Sequence, residues 1–426
     1  RSMNALHLFL PCAAGVEGYL ADEIAAITAL PPAQIQALRA GVLVQGSWRH
    51  ALQLNLHSRL AQRVLVQLSR TPYQNEADLY EAASHIAWEL WFTPQQTFRI
   101  DITAQRSPLK SLNFAALKIK DAVADRFRAR AGSRPSVDTQ WPDVRIFAHL
   151  TNDRMALYID TSGEPLFKRG WREDKGDAPL KETLAAAMIA ASGWADGDDD
   201  LQPLYDPCCG SGTIAIEAAQ IACNIAPGSL RRFAFEKYVP FQPHVWAAIQ
   251  QEAADAVVKP EPGQKALIYG SDVSHRMVDF AQRNAERAGV ADVIEFRGGD
   301  ALQRMPPIEG GGVMVLNPPY GERIEVGGVA GAAHEARFGA REAAQTEDGG
   351  EFFSQLAAHW KKNFPGWTAW VLTPDLKLPG KMRLKESRRV PMWNGPLECR
   401  LFKFDMVAGK MAGKPAKADN ADKGAA

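Results

Sequence analysis

The 426-residue sequence is poor in cysteine, and its five, Cys12, Cys208, Cys209, Cys223 and Cys399, are scattered. None forms a CxxC pair, and an odd, sparse set argues against a disulfide framework and for a reducing cytoplasm. Cys208 and Cys209 are adjacent, but no further Cys or His stands at ligand spacing, so no metal is expected. Net charge is also missing: 49 Lys and Arg balance 49 Asp and Glu. Any affinity for a polyanion must therefore come from local patches. No apolar run is long enough to span a membrane, and Arg1 to Leu10 lacks the long apolar core and cleavage site of a signal peptide. What remains has ordinary globular composition, 46% hydrophobic and 23% charged, at a length that implies two or three domains.

The amino-terminal third mixes strands and helices. "LHLFL", "GVLVQG" and "RVLVQL" read as strands. Gly15 opens a helix with Val16, Tyr19, Leu20, Ile24 and Ile27 on one face, and Ser47 caps another carrying Trp48, Ala51, Leu52 and Leu56. This alternation suggests a small ferredoxin-like unit over residues 3–70. From about Tyr80 a helix with Ile86, Trp88 and Leu90 is expected. "TFRIDIT" then alternates, with Phe98, Ile100 and Ile102 inward. A long helix follows, with Leu112, Ala116, Ile119, Val123 and Phe127 on one side and Gly132 at its end. "RIFAHL" and "MALYID" form a hairpin turning at Asn152-Asp153. Between Arg99 and Arg145 there are 10 Lys and Arg against 5 Asp. Such an excess is either a solvated helix face or a surface for a phosphate backbone. Residues 71–165 are taken as this second unit.

Residues 166–179, rich in Gly, Pro and charge, read as a linker. Strands and helices then alternate across 180–406, the pattern of a mostly parallel sheet covered on both faces. Residues 407–426 have few large apolar side chains and read as a disordered tail.

Four consecutive strands of this last unit end on polar residues. "LYD" stops at Asp206 and runs into Gly210 and Gly212, without the G-x-G-x-x-G of a dinucleotide cradle. A carboxylate there suits a cation or hydroxyl better than a phosphate. "ALIYGSD" stops at Asp272, where the end of a second strand can hold a ribose diol. "VIEFRGGD" stops at Asp300, placed to accept from an adenine amine. "GGVMVL" stops at Asn317-Pro318-Pro319-Tyr320. Ligands of open α/β sheets lie at the carboxyl ends of strands, so four such ends in a row predict one site. An amine whose lone pair is delocalised needs acceptors on both N–H groups to become a nucleophile. Asn317 and the Pro318 carbonyl offer two, Pro318 and Pro319 hold that carbonyl rigid, and Tyr320 offers a face for a planar group.

The motifs "DPCCGSGT", "GSD", "GGDA" and "NPPYGER" resemble those of class I S-adenosylmethionine-dependent methyltransferases acting on amino nitrogens. "NFAALKIKDAV" and "LKETLAAAMIAASGW" narrow the resemblance to THUMP-containing ribosomal RNA guanine-N2 methyltransferases, similar to the amino-terminal half of a bifunctional bacterial 23S rRNA enzyme. It covers Met3 to about Met406. It implies a ferredoxin-like unit, a THUMP RNA-binding domain and a Rossmann-like catalytic domain. It sets the methyl donor, S-adenosylmethionine, against Asp206, Gly210, Gly212, Asp272 and Asp300, and extends the cofactor set to Thr183, Pro207, Cys208, Ser211, Thr213, Ala301 and Asn317. It implies a guanosine of the peptidyl-transferase region of 23S rRNA as target, in free RNA or an assembling large subunit. The second activity of the bifunctional enzyme, 7-methylguanosine formation, is expected to be absent. Lys110, Lys118, Lys120 and Arg126 are expected RNA contacts, as are Lys385, Arg388 and Arg389 in a stretch from Leu376 to Lys403 with 8 Lys and Arg against 2 Glu. That stretch reads equally as a basic strand edge that resists aggregation. The Gly/Ala-rich segment at 325–350 reads as an inserted loop beside the site. The same Asn-Pro-Pro-Tyr acceptors would suit a protein glutamine amide, and a non-catalytic RNA-binding factor or a DNA adenine methyltransferase are further readings.

Overall fold

The computed structural model describes residues 3, 5–174, 176, 179–197, 200–261, 263–319 and 349–407. Two compact units emerge, and neither is continuous in sequence. The first comprises Arg1–Cys12, Leu20–Lys168 and Ala226–Asp255; the second comprises Ala13–Tyr19, Arg169–Ile225 and Ala256–Ala426.

The first unit is built on one seven-stranded sheet. Its strands are β1 (Leu6–Pro11), β2 (Ile35–Leu38), β3 (Gly41–Gly46), β4 (Leu65–Pro72), β5 (Phe98–Ala104), β6 (Val144–Leu150) and β7 (Arg154–Asp160), in the order β2-β3-β1-β4-β7-β6-β5. The expected ferredoxin-like unit and the unit after it thus share a sheet, joined where β4 pairs antiparallel with β7. Helix α1 (Glu17–Thr28) buries Leu20 and Ile24, and α2 (Trp48–His57) is capped by Ser47 as its sequence predicts. The cap closes with His50 in the place usually held by Glu, its Nδ1 facing the Ser47 amide at 3.0 Å. The helix expected to carry Ile86, Trp88 and Leu90 is corrected. An α-helix, α3 (Glu76–Ser84), ends before them, and Trp88–Leu90 forms a single 3-10 turn whose indole N–H donates to the Ala83 carbonyl. β5 lies at the sheet edge, so Ile100 and Ile102 are only half-buried while Phe98 is fully so. Helix α4 (Leu112–Ala131) starts at the Ser111 cap and, as its sequence predicts, stops at Gly132, in the left-handed region.

A return of the chain completes this unit. Residues Ala226–Asp255, with α7 (Pro243–Asp255), bring Phe235 onto Trp48, and Phe233 and Trp246 pack on Phe235, Trp246 edge-on at 4.8 Å between centroids. Tyr238 donates to the Asp160 carbonyl at 2.5 Å, and Arg231 donates to the carbonyls of Ser162, Glu164, Pro165 and Lys168.

The second unit carries a second seven-stranded sheet, of β8 (Leu204–Asp206), β9 (Ile268–Asp272), β10 (Ile294–Gly298), β11 (Gly312–Leu316), β12 (Trp367–Thr373), β13 (Arg388–Asn394) and β14 (Leu397–Asp405). The order is β10-β9-β8-β11-β12-β14-β13, parallel except for β14, which is antiparallel to both neighbours. Among the described residues its helices are α5 (Glu182–Ser192), α6 (Thr213–Ala222), α8 (His275–Arg287), α9 (Gly350–Asn363) and the short α10 (Leu378–Met382). The core on one face gathers Met314, Leu316, Phe353, Leu356, Trp360, Val371 and Phe402.

The stretch read as a linker is instead an anchored strap from Arg169 to Asp174. Arg169 is 2% exposed and Trp171 is fully buried. The Arg169 guanidinium pairs with Glu217 on α6 at 2.7 Å, with both side chains sealed from solvent. Charged composition suggested solvent exposure, but each buried charge of the strap meets an opposite one. Arg169→Met should therefore lower the unfolding free energy by about 3–5 kcal/mol, because it strands Glu217 without its cation. Urea unfolding checks this, and a loss below about 1 kcal/mol would refute it.

Candidate active site

The reversal of strand order fixes the site. From β8 the chain winds outward through β9 and β10, then returns to β11 on the other side of β8 and continues outward to β12. The carboxyl ends of β8 and β11 are therefore neighbours from which the two halves diverge, leaving a crevice. Asp206 is the last residue of β8, and Asn317 follows the last residue of β11. Both line one cleft, with Cys208, Gly210, Ser211 and Thr213 from the glycine turn. Asn317 is 8% exposed, and Pro318 and Pro319 are also buried.

Each acidic strand end anchors its own loop. Asp206 accepts from the Cys208 amide at 3.0 Å and Asp300 from the Leu302 amide at 2.9 Å. Asp272 accepts from the Ser274 amide at 2.9 Å and, across to the neighbouring strand, from the Gly210 amide at 3.0 Å. Thus Asp272 holds the glycine turn from the side. The turn needs its glycines for two different reasons. Gly210 has φ +52° with open space beside it, so backbone conformation alone selects glycine. Gly212 has φ +92°, and a Cβ there would come to 3.0 Å from the Ala281 Cβ on α8 and 3.2 Å from Phe296. The close approach at Gly212 is thus to the protein's own helix.

The turn has a support that sequence reasoning missed. Arg172, in the strap, donates to the Ser211 hydroxyl at 2.6 Å and to the Thr213 hydroxyl, and pairs with Glu182 at 3.5 Å. Its guanidinium lies 4.9 Å from the Trp171 ring centroid. Asn284 on α8 donates to the carbonyls of Ser211 and Asp174, and Arg283 and Arg287 both pair with Asp174. The alternation of basic, aromatic and acidic residues in "RGWRED" is the only signal of this in the sequence, and it lacks a period. Pro179, Leu180, Ile214 and Met277 also line the cleft and were not expected. Of the remaining expected residues, Thr183 is buried in the first turn of α5, and Pro207, Asp272, Asp300 and Ala301 sit at strand ends around the cleft without lining it. Tyr320 and the 325–350 segment lie outside the described residues, apart from Gly349 and Gly350.

The electrostatics of the cleft favour a ligand rich in donors. Burial raises the Asp206 carboxyl to about 8, with the Cys208 amide opposing and the Asp272 charge adding to the rise. Burial raises Asp272 as well, against the Ser274 and Gly210 amides. At both carboxyls, on adjacent strands, desolvation outweighs the backbone amides, and a ligand bringing a cation or hydroxyls would oppose it. Among the described residues no three His, Cys, Asp or Glu side chains come together in a metal-holding group.

The expected RNA contacts divide. Lys110 is exposed, Lys118 lies over the Phe114 ring at 5.3 Å, and Lys120 faces Asp121 at 3.4 Å. Arg126 is committed elsewhere: its Nε and one terminal nitrogen donate to Glu89 and the other to the Ser84 carbonyl, which ties α4 to the turn at Trp88. Lys385 and Arg388 are exposed, and Arg389 pairs with Glu386 at 3.0 Å on the edge strand β13.

The raised Asp206 sets a pH dependence with an unusual sign for a carboxyl. The folded state keeps the proton that the unfolded state loses near 3.8, so ligand-free stability falls as pH rises from about 4 to 8, by at most about 1.4 kcal/mol per pH unit from this group. Asp206→Asn should flatten that slope in urea unfolding of the ligand-free protein between pH 5 and 8. Identical slopes in the two proteins would show that Asp206 stays ionised.

Comparison with known proteins agrees with this architecture. Residues 169–403 match the family described as RMKL-like, methyltransferase domain; residues 73–160 match the THUMP domain, and residues 7–65 the RlmL ferredoxin-like domain. Curated relatives named ribosomal RNA large subunit methyltransferase K/L include one from Psychromonas ingrahamii, 37% identical over 94% of this chain and 50% of its own length. Another, from Shewanella loihica, is 39% identical over 95% of this chain and 53% of its own length. The chain therefore spans about half the length of the curated relatives it matches. Among solved structures, SMU.472 complexed with SAH superposes with TM-score 0.79 at 27% identity, over 94% of this chain and 98% of that one. A possible methylase from Clostridium difficile 630 superposes with TM-score 0.78 at 28% identity over the same shares. With a family model spanning more than half of its length, over the strand order and cleft described above, the chain belongs to the RMKL-like methyltransferase family.

Proposed function

We propose that the chain methylates the exocyclic N2 amine of a guanosine in 23S ribosomal RNA, with S-adenosylmethionine as methyl donor. The observation that carries this reading is the placement of Asn317 beside Asp206 and the glycine turn in one cleft at the strand-order reversal. The cofactor, when bound, supplies an electrophilic methyl group. Asp206, Asp272 and the turn from Cys208 to Thr213 would hold it, with Asp272 and Asp300 at the ends of the second and third strands of the cofactor half as acceptors for its hydroxyls and amine. The unbalanced burial of Asp206 and Asp272 supports this assignment, since donors on the ligand would relieve it.

The amine would be held by the Asn317 side-chain oxygen and the Pro318 carbonyl. Two acceptors aimed at its N–H groups turn the lone pair outward and stabilise the positive charge that develops on nitrogen as the new bond forms. Burial makes each of these contacts stronger than in water. Pro318 and Pro319 lack N–H donors that could compete for the acceptors, and their rings restrict the backbone. No strong base is required, because the proton leaves after the methyl arrives. Tyr320 is proposed as the stacking partner of the base. The RNA reading over the protein-amide reading rests on the THUMP domain at 73–160 and on the relatives' names. By the resemblance, the target lies in the peptidyl-transferase region, in free rRNA or an assembling large subunit.

Labelled methyl transfer to deproteinised 23S rRNA followed by nucleoside analysis should yield N2-methylguanosine. Label in release factor with none in rRNA would point to the glutamine reading. Asn317→Ala should abolish transfer while retaining cofactor affinity within about threefold, and equal loss of both would make Asn317 structural. Neutralising Lys385, Arg388 and Arg389 together should reduce the salt slope of RNA binding by about 2–3. An unchanged slope would remove that strand edge from the RNA surface.

A further inference from the structure

Helix α4 buries Ala115, Ile119, Ala122, Val123 and Phe127 against its sheet, as an amphipathic helix should. Two large apolar side chains in its first turns break the pattern. Phe114 is 46% exposed and Leu117 is 50% exposed, three residues apart and so on one side of the helix. Lys118, four residues from Phe114, places its ammonium 5.3 Å from the centre of that ring. From Ile102 to Lys120 the chain has four cations, Arg106, Lys110, Lys118 and Lys120, and no acid. Arg106 and Lys110 are exposed on the loop that enters the helix.

That loop is held in place. Arg106 has φ +60°, Ser107 Oγ lies 2.8 Å from the Tyr73 hydroxyl, and the Leu109 amide donates to Ser107 Oγ at 3.2 Å. The Ser111 hydroxyl then accepts from the Phe114 amide at 3.2 Å, which fixes the start of the helix. The aromatic face and its cations are therefore positioned before any partner arrives.

We infer that the first turns of α4 bind an unpaired base of RNA, with Phe114 as the stacking face and Arg106, Lys110 and Lys118 contacting the flanking phosphates. Two apolar side chains ringed by cations are too small an apolar area for the core of a stable protein interface. They match a nucleotide, which brings one flat apolar ring and one negative charge per unit. Double-stranded RNA offers no free base face and would meet only the cations. The inference rests on the RNA-methyltransferase reading, but the surface lies in the first unit and the catalytic cleft in the second.

Binding of two fluorescently labelled RNAs by anisotropy tests it: a hairpin with an unpaired loop, and a blunt duplex of equal length. Phe114→Ala should weaken binding to the hairpin about tenfold and leave the duplex unchanged. Phe114→Trp should restore hairpin binding, and Lys110→Ala should weaken both RNAs and lower the salt slope by about one. Since Phe114 is exposed, thermal unfolding of its variants should match the wild type. Hairpin affinity unaffected by Phe114→Ala, or equal losses on hairpin and duplex, overturns the inference, as does a wild type that binds neither RNA. Methyl transfer to 23S rRNA, measured on the same wild-type preparation, separates the two readings. Transfer without a Phe114 effect overturns the stacking surface alone. A Phe114 effect without transfer supports the surface and removes the catalytic reading.

Discussion

A charge sealed inside a protein must meet its opposite there, and the second unit is organised around that constraint. Arg169 meets Glu217, and Arg172 meets Glu182 along with the Ser211 and Thr213 hydroxyls. These pairs pin the strap from Arg169 to Asp174 onto α6 and onto the turn from Cys208 to Thr213. The turn in turn positions the floor of the cleft. Each ion pair is a modest net contributor to stability, but removing one partner leaves an unmatched charge, so the arrangement is far more specific than it is strong.

The cleft itself follows from topology. A parallel sheet whose strand order reverses must open between the two diverging halves, and β8 and β11 are the strands at the reversal. Each places a polar residue at that opening. Burial raises the carboxyls of Asp206 and Asp272 although backbone amides hold them, and the turn beside them is tightly held. The cleft thus combines rigid geometry with desolvated carboxyls, and both properties suit a ligand rich in N–H and O–H groups.

Much of this was legible in the sequence. The three acidic strand ends and the Asn-Pro-Pro end could be read because each closes a short apolar run, and strand ends are where open sheets place their sites. Ser47 and Gly132 marked helix ends by ordinary capping chemistry. The strap was not legible, since a charged, glycine-bearing stretch without a period looks solvated until its partners are known. Arg126 was misleading for the same reason: its pairing with Glu89 joins residues far apart in sequence. The helix expected at Ile86 failed because the apolar spacing of Ile86, Trp88 and Leu90 fits a turn packed by Trp88 as well as it fits a longer helix.

The return of Ala226–Asp255 to the first unit bears on the order in which the protein can be made. During synthesis residues 3–168 emerge first, yet the sheet they form still lacks Phe233, Phe235, Trp246 and the Tyr238 hydroxyl on Asp160. The first unit is completed only after β8, the glycine turn and α6 have already left the ribosome. The two halves therefore cannot be assembled as beads on a string, one finished before the next begins. Any recombination of this amino-terminal unit with another catalytic domain would have to carry Ala226–Asp255 along with the amino-terminal stretch.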